Sequence, residues 1–308
     1  MDTDDIDRYL DAANRSNTNR SYQGALRHFE VEWGGFLPAT PDSVARYLAH
    51  YADSLAINTL QQRLAALAKW HNEQGFADPT KAPIVRKVLK GIRTLHPAQE
   101  KQARPIQLEQ LRSLVDWLDS QIADVGIGPA SLRYRRDKAL VLLGFWRGFR
   151  GDELTRLCIE HVKAVAGEGM SCFLPFSKGD RQAHGMTFRA PALLSLCPVD
   201  AYLDWIAAAK LTDGPVFRAI DRWGNVGTEG LHINSLIPLL RSLLDDAAIP
   251  HADEYTSHSL RRGFANWATG SGWDMKTLME YVGWRDVHSA MRYVEAADPF
   301  ASVRQPNE

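Results

Sequence analysis

At 308 residues the chain is long enough for two domains with separate cores, and its 45% hydrophobic and 24% charged residues are an ordinary globular composition. The net charge of −1 hides a pattern: acids crowd the first eleven residues, Lys81 to Arg104 holds seven bases and one acid, and Arg133 to Arg150 holds six bases and one acid, local patches that suit nucleic acid. No apolar run is long enough to span a bilayer, the acidic start MDTDDIDRYL lacks the marks of a signal peptide, and no GxxxxGK[ST], GxGxxG or HExxH occurs, so membrane association, secretion, nucleotide hydrolysis, dinucleotide binding and zincin chemistry lack sequence support.

Residues 14–95 read as helical throughout. In TPDSVARYLAHYA, Thr40 stands as N-cap with Pro41 at the first helical position. NTLQQRLAALAKWHNEQG lines Leu60, Leu64 and Leu67 along one stripe and stops at Gly75. In APIVRKVLKGIRTL, Ile84, Val85, Val88, Leu89, Ile92 and Leu95 cover one face and Arg86, Lys87, Lys90 and Arg93 the other. A charged face is often only a solvated one, but charge of a single sign predicts a face that tracks DNA phosphates.

The stretch HPAQEKQARP, residues 96–105, has no apolar period and reads as an interdomain linker between a helical domain, 1–95, and a second domain, 106–308. The second domain opens with helices in IQLEQLRSLVDWL and RDKALVLLGFWRG. HVKAVAGEGMSCFLPFSKGDRQAHGMTFRAP then reads as two or three short strands, with turns at Ala166–Gly169 and Lys178–Arg181. The remainder reads as helix with one loop around DRWGNVGTEG. The expected fold class is therefore mainly α with a small antiparallel sheet in the C-terminal domain. The widely spaced Cys158, Cys172 and Cys197 predict reduced thiols and a cytoplasmic protein, with no disulfide framework and no zinc pair.

Polar groups with chemical potential gather in the second domain. GFRGDEL sets Arg150 and Glu153 one helical turn apart, and HSLRR sets His258 and Arg261 on one face of a helix that Thr256 or Ser257 can cap. Leu260, Phe264 and Trp267 point elsewhere, into a core. Asp274 is a candidate cap for a short helix that ends at Gly283, ahead of Trp284. In the last helix Val287, Ala290, Met291 and Val294 form an apolar stripe, and Tyr293 lies about 100° from its centre. A lone Tyr is usually a packing residue; its place off the stripe argues against that role here.

GxRxxEL, a lysine in a β-turn, HxLR, a Gly followed by His or Trp, and a Tyr nine residues later form a pattern that resembles the tyrosine recombinases, or phage integrases. The matching residues are Arg150 with Glu153, Lys178, His258 with Arg261, Trp284 after Gly283, and Tyr293. Each motif alone is weak; their order and spacing together are specific, and the resemblance covers essentially the whole chain. Many members carry His where this chain has Trp284, a feature shared with Cre-type members. Lys178 competes with Arg181 and Lys163 for the lysine position, and Arg262 stands where His is frequent and reads as a phosphate or surface contact. His184, His251 and His288 fit no such pattern.

The resemblance implies a site-specific recombinase of the simple Cre/Xer type. It would cut and rejoin double-stranded DNA through a 3′-phosphotyrosyl link, with no metal or nucleotide cofactor. Tyr293 would be the nucleophile and His258 its base. Arg150 and Arg261 would hold the non-bridging phosphate oxygens, and Glu153 would orient an arginine. Lys178 would protonate the departing 5′ oxygen, while Trp284 could donate one hydrogen bond but not accept a proton. A phenol, with an ordinary pKa of about 10, needs such surroundings to attack.

The resemblance further implies a C-shaped clamp made of a core-binding and a catalytic domain. It implies a monomer in solution and a homotetramer on two DNA sites, with Phe300 and Val303 as anchors of a short C-terminal tail. With helices starting near residue 14, no separate arm-binding domain is expected, and a prokaryotic, phage or mobile-element origin is expected. Two alternatives use the same residues differently: a topoisomerase-like or hairpin-resolving enzyme, and a non-cleaving, sequence-specific DNA-binding regulator.

Overall fold

The computed structural model describes residues 16–97, 102–175 and 184–294. The chain divides into two compact units, residues 1–101 and 102–308. None of the described helices is long and apolar enough to cross a membrane.

The first unit is helical: α1 (Ser16–Arg27) continues into a π-helical turn (His28–Glu32), followed by α2 (Pro41–His50), α3 (Ile57–Glu73) and α4 (Pro83–Leu95). Thr40 caps α2 by accepting the Ser43 N–H, with Pro41 at the first position, as the sequence indicates. The core gathers Phe29, Tyr47, Leu48, Leu60, Leu67 and Val85. The apolar stripe of α4 is only partly buried, with Val88 and Leu89 half-buried. Val85 and Ile92 are buried, whereas Ile84 and Leu95, at the helix ends, are 46% and 77% exposed. The opposite face, with Arg86, Lys87, Lys90 and Arg93, is exposed.

The second unit begins earlier than the expected linker boundary. Arg104 donates its backbone N–H to the Glu254 carbonyl and pairs with the Glu254 carboxylate, so 102–105 belong to this unit's framework. Two long helices follow, α5 (Leu108–Val125) and α6 (Pro129–Arg147), then the short α7 (Gly151–Thr155). Strands β1 (Val162–Val165), β2 (Gly169–Leu174) and β3 (Met186–Pro191) form an antiparallel sheet in that order, with Val162 opposite Cys172 and Cys172 opposite Phe188. Met170, Cys172 and Leu174 alternate inward and seal one face of the sheet into the core. Helix α8 (Pro198–Ala209) follows and packs against α6.

The segment read as a single loop around DRWGNVGTEG is instead a two-stranded hairpin, β4 (Arg218–Ile220) and β5 (Val226–Gly230). Its turn is built by Asp221, whose carboxylate accepts the backbone N–H groups of Trp223 and Asn225 and the Asn225 side-chain amide. The strands are short, so the side-chain chemistry of the turn helps to make them pair. Beside this hairpin, Arg136 and Asp137 form a fully buried ion pair, and Arg136 also donates to the Arg218 carbonyl.

The chain ends its described course in α9 (Leu236–Asp246), α10 (Ser257–Gly270), α11 (Met275–Val282) and α12 (Val287–Met291). Helix α10 is the central strut. Leu260, Phe264, Ala265 and Ala268 are buried in the core. At Gly263 the segment leading into α5 comes so close that an added Cβ would lie 2.0 Å from the Ile106 carbonyl oxygen and 2.9 Å from the Phe145 ring. Gly270, at the end of the same helix, has nothing within 4 Å. The two glycines should therefore respond oppositely to alanine. Gly263→Ala should lower the unfolding free energy by about 3 kcal/mol through overpacking. Gly270→Ala should raise it by about 0.5 kcal/mol through helix propensity and unfolded-state entropy. Denaturant melts of the full chain check both signs.

Candidate active site

Helix α6 ends at Gly148, whose left-handed backbone (φ +58) turns the chain sharply. Two residues on, Arg150 adopts extended backbone at the N-cap of α7. Glu153, three residues later, folds back on it. One carboxylate oxygen accepts the Arg150 backbone N–H at 2.8 Å and the other accepts Nη1 of the Arg150 side chain at 2.7 Å. The same carboxylate lies 3.7 Å from Nη1 of Arg261. Glu153 is almost fully buried, which a carboxylate tolerates only when paired. Gly151 permits the arrangement: a Cβ there would meet Leu236 at 2.9 Å and Ser257, the first residue of α10, at 3.1 Å.

Thr256 is the cap of α10, resolving the choice with Ser257, and its partner in the capping box is Ser259. His258 is exposed at this helix start, and Arg261, one turn inward, is fully buried. Arg261 Nη1 donates to the Gly148 carbonyl. Its Nε and Nη2 are buried and meet no acceptor among the described residues. Burial, and then the charge of Arg150, push the Arg261 guanidinium down to about 9, with Glu153 opposing them. A guanidinium still carries its proton at neutral pH. The site therefore holds surplus positive charge and donors aimed at no partner, which is what an anion site requires.

The third strand of the site comes from α11 and α12. Asp274 caps α11 through the Thr277 N–H, and Gly283 ends it in the left-handed region (φ +76). The Gly283 and Trp284 N–H groups both donate to the Met279 carbonyl, which turns the Trp284 ring inward. Trp284 is buried, and its indole N–H has no acceptor among the described residues. Helix α12 is shorter than its apolar stripe suggests. Within that stripe only Ala290 is buried, Val294 is half-buried, and Val287 and Met291 are 52% and 56% exposed. The stripe fails because one and a half turns cannot present a continuous face.

Tyr293 consequently sits in the turn after α12, not on its side. Its hydroxyl lies 3.0 Å from His258 Nδ1. Its ring is 5.2 Å from that of Trp284, tilted by 30°. The Arg261 guanidinium carbon lies 4.8 Å from the Trp284 ring centre and 5.5 Å from that of Tyr293, so both rings meet the cation. Tyr281, the other tyrosine of this stretch, spends its hydroxyl on the Trp146 carbonyl.

Five sequence-predicted residues thus converge with Glu153: Arg150, His258, Arg261, Trp284 and Tyr293. Lys178 and its competitor Arg181 lie outside the described residues, and Lys163 is exposed on β1. Arg262 does not take the surface role expected of it. It is 7% exposed and donates to the Gln102 side chain and the Arg292 carbonyl, because the core-facing surface of α10 extends one residue beyond Arg261. His184, His251 and His288 are exposed and stand apart from the cluster. Sequence reading missed Arg147, which lies behind the site in a box of aromatic rings.

The comparisons with known proteins fall on these residues. A sequence model of the phage integrase family matches residues 233–299, which contain His258, Arg261, Trp284 and Tyr293. An integrase/recombinase XerD homologue of Selenomonas ruminantium is 29% identical over 305 residues, covering 95% of this chain and 85% of the relative. Both matches point to the phage integrase family, the tyrosine recombinases. Among other relatives of this family, the recombinase Cre of Escherichia phage P1 is 23% identical over 283 residues, covering 85% of this chain and 78% of Cre. The Tn1549 transposon integrase, solved in complex with circular-intermediate DNA, shares the tyrosine recombinase fold. Its TM-score is 0.59 at 15% identity, over 94% of this chain and 93% of that one.

If one carboxylate holds two guanidiniums together, its neutral isostere should not. Glu153→Gln should cost about 3 kcal/mol of stability, the scale for removing one partner of a buried ion pair. Added sulfate should recover more stability in the variant than in the wild type, because an anion replaces the missing charge. Thermal melts in sulfate and in chloride at equal ionic strength measure both effects.

Proposed function

We propose that the protein is a site-specific DNA recombinase that cuts and rejoins duplex DNA through a 3′-phosphotyrosyl intermediate on Tyr293. The observation that carries this reading is the Tyr293 hydroxyl, 3.0 Å from His258 Nδ1 and beside an arginine whose Nε and Nη2 have no acceptor among the described residues. The recombinase names of the XerD homologue and of Cre, and the DNA bound by the Tn1549 integrase, support DNA as the substrate.

In this reading the scissile phosphate fills the gap beside Arg150, Arg261 and Trp284. The two guanidiniums and the indole N–H hold its non-bridging oxygens as charge builds on them. The Tyr293 oxygen attacks phosphorus while its proton passes to His258. For that transfer Nδ1 must be bare, which places the neutral ring's proton on Nε2. The bond from phosphorus to the 5′ oxygen breaks, and that oxygen takes a proton from Lys178. The phosphotyrosyl ester retains the energy of the broken bond. Attack by a 5′ hydroxyl reverses the step and releases Tyr293 without ATP.

The exposed face of α4 contributes a separate set of phosphate contacts through Arg86, Lys87, Lys90 and Arg93. Exchange between two duplexes needs four cut strands, so the reading includes four protomers on two DNA sites and a monomer in solution.

Tyr293→Phe keeps the ring and removes the nucleophilic oxygen. On a nicked trapping substrate the wild type should form a denaturant-resistant adduct through the 3′ phosphate, in excess chelator as well. Tyr293→Phe should bind DNA with wild-type affinity and form none. Adduct formation by Tyr293→Phe, or peptide mapping of the DNA to another residue, sinks the assignment.

Replacing Lys87 and Lys90 by Gln should weaken binding to all DNA sequences alike and lower the slope of log affinity against log salt by about two. Binding titrations across salt concentrations, on specific and unrelated DNA, give that slope directly. An unchanged slope removes α4 from the interface.

A further inference from the structure

Arg147 is a buried cation that the proposed chemistry does not use. It is 1% exposed, and no carboxylate lies within ion-pair distance of it among the described residues. Burial pushes its guanidinium below the ordinary arginine range, so the fold pays to keep a charge there. A methionine or leucine would fill similar volume without that cost, which asks what the guanidinium does.

Its contacts run toward the proposed site. The guanidinium carbon stands 4.2 Å from the ring centre of Tyr281, 4.8 Å from that of Phe188 and 5.5 Å from that of Phe149. Nη2 donates to the Tyr281 carbonyl, one of the carbonyls that α11 leaves open at its C-terminal end. Tyr281 answers by donating its hydroxyl to the Trp146 carbonyl at 2.8 Å. Two opposed bonds therefore lock the end of α11 to the end of α6.

The chain beyond each lock leads to the site. On the α6 side the next residue is Gly148, whose carbonyl holds Arg261, followed by Phe149 and Arg150. On the α11 side Val282 and Gly283 lead to Trp284. Gly283 passes so close to Phe188 that a Cβ there would lie 3.0 Å from its ring. The Phe188 ring thus touches both Arg147 and the turn that delivers Trp284.

We infer that Arg147 is a positioning residue of the active site: through Tyr281 and Phe188 it fixes the end of α11, and so sets where Trp284 meets Tyr293 and Arg261. This inference rests on the functional reading of Trp284 and Tyr293 given above. Arg147 touches neither substrate nor reacting atoms; it acts through the backbone turn at Gly283.

The test uses the full chain and Arg147→Met. At saturating trapping substrate, DNA affinity should stay within about twofold and adduct formation should slow by about 100-fold, the scale of an ångström-sized misplacement of aligned groups. Trp284→Phe should slow the wild type but add little in the Arg147→Met background, because both changes remove the same contact. A wild-type rate in Arg147→Met, or losses that multiply, overturns the inference.

If Arg147→Met does not fold, Arg147→Lys keeps the charge but lacks the planar fork. It should slow the adduct by about tenfold with the same lack of additivity, and a wild-type rate again overturns the inference. A readout independent of activity is the Trp284 indole N–H resonance, assigned by its loss in Trp284→Phe. It should move in either Arg147 variant, and an unmoved resonance overturns the inference. The functional reading fails separately, if the wild type forms no adduct at Tyr293.

Discussion

Two guanidinium groups, Arg150 and Arg261, share one buried carboxylate, Glu153. Like charges brought this close out of water repel strongly, and one anion between two cations offsets only part of that repulsion. The remainder is a standing demand for a second anion. Much of the surrounding structure satisfies the geometry of this trio. Gly148 turns left-handed so that its carbonyl can meet Arg261, Gly151 lacks the Cβ that would hold α10 away, and Thr256 caps α10 so that its first turn is in place.

Helix α10 then converts one turn of sequence into a gradient of burial. His258 stands exposed at its start, while Arg261, three residues further on, is sealed in the core. A base that must exchange protons benefits from water, and a cation that must grip an oxyanion benefits from its absence. The i, i+3 spacing supplies both environments within one turn, and Tyr293 reaches them from outside the helix. Because Tyr293 follows a short α12 instead of lying within it, its approach is set by tertiary contacts, the His258 bond, the Trp284 ring and the Arg261 cation.

The parts legible in the sequence were those governed by local spacing or a specific motif. The caps at Thr40 and Asp274, the left-handed Gly283, the pairing of Arg150 with Glu153 and the shared face of His258 and Arg261 follow from residues a few positions apart. Tyr293 was singled out through motif order, although it lies in a turn and not in the helix assigned to it, since periodicity over so few residues cannot separate a helix from a turn. What escaped depended on tertiary packing. The β4–β5 hairpin rests on Asp221 and its turn, and Arg262 looks from sequence like any surface arginine until Gln102 and the Arg292 carbonyl close over it. Arg147 and Arg136 were hidden in the same way, because a basic run reads as solvent-facing and only the fold shows which members point inward.

Arg261 Nε and Nη2 and the Trp284 indole N–H are buried with no acceptor among the described residues. Each such donor costs about 1–3 kcal/mol in the resting protein. A sequence under pressure for stability alone would replace them, since an apolar side chain fills the same space. Their convergence beside Tyr293 fits the phosphate contact proposed above, because a bound oxyanion would return the cost of all three at once. The choice of side chains also divides the labour. A guanidinium and an indole N–H donate at any physiological pH and cannot take up a proton. In the proposed reaction they would hold charge on a phosphate without competing for the tyrosine's proton, and His258, at 3.0 Å, would receive it.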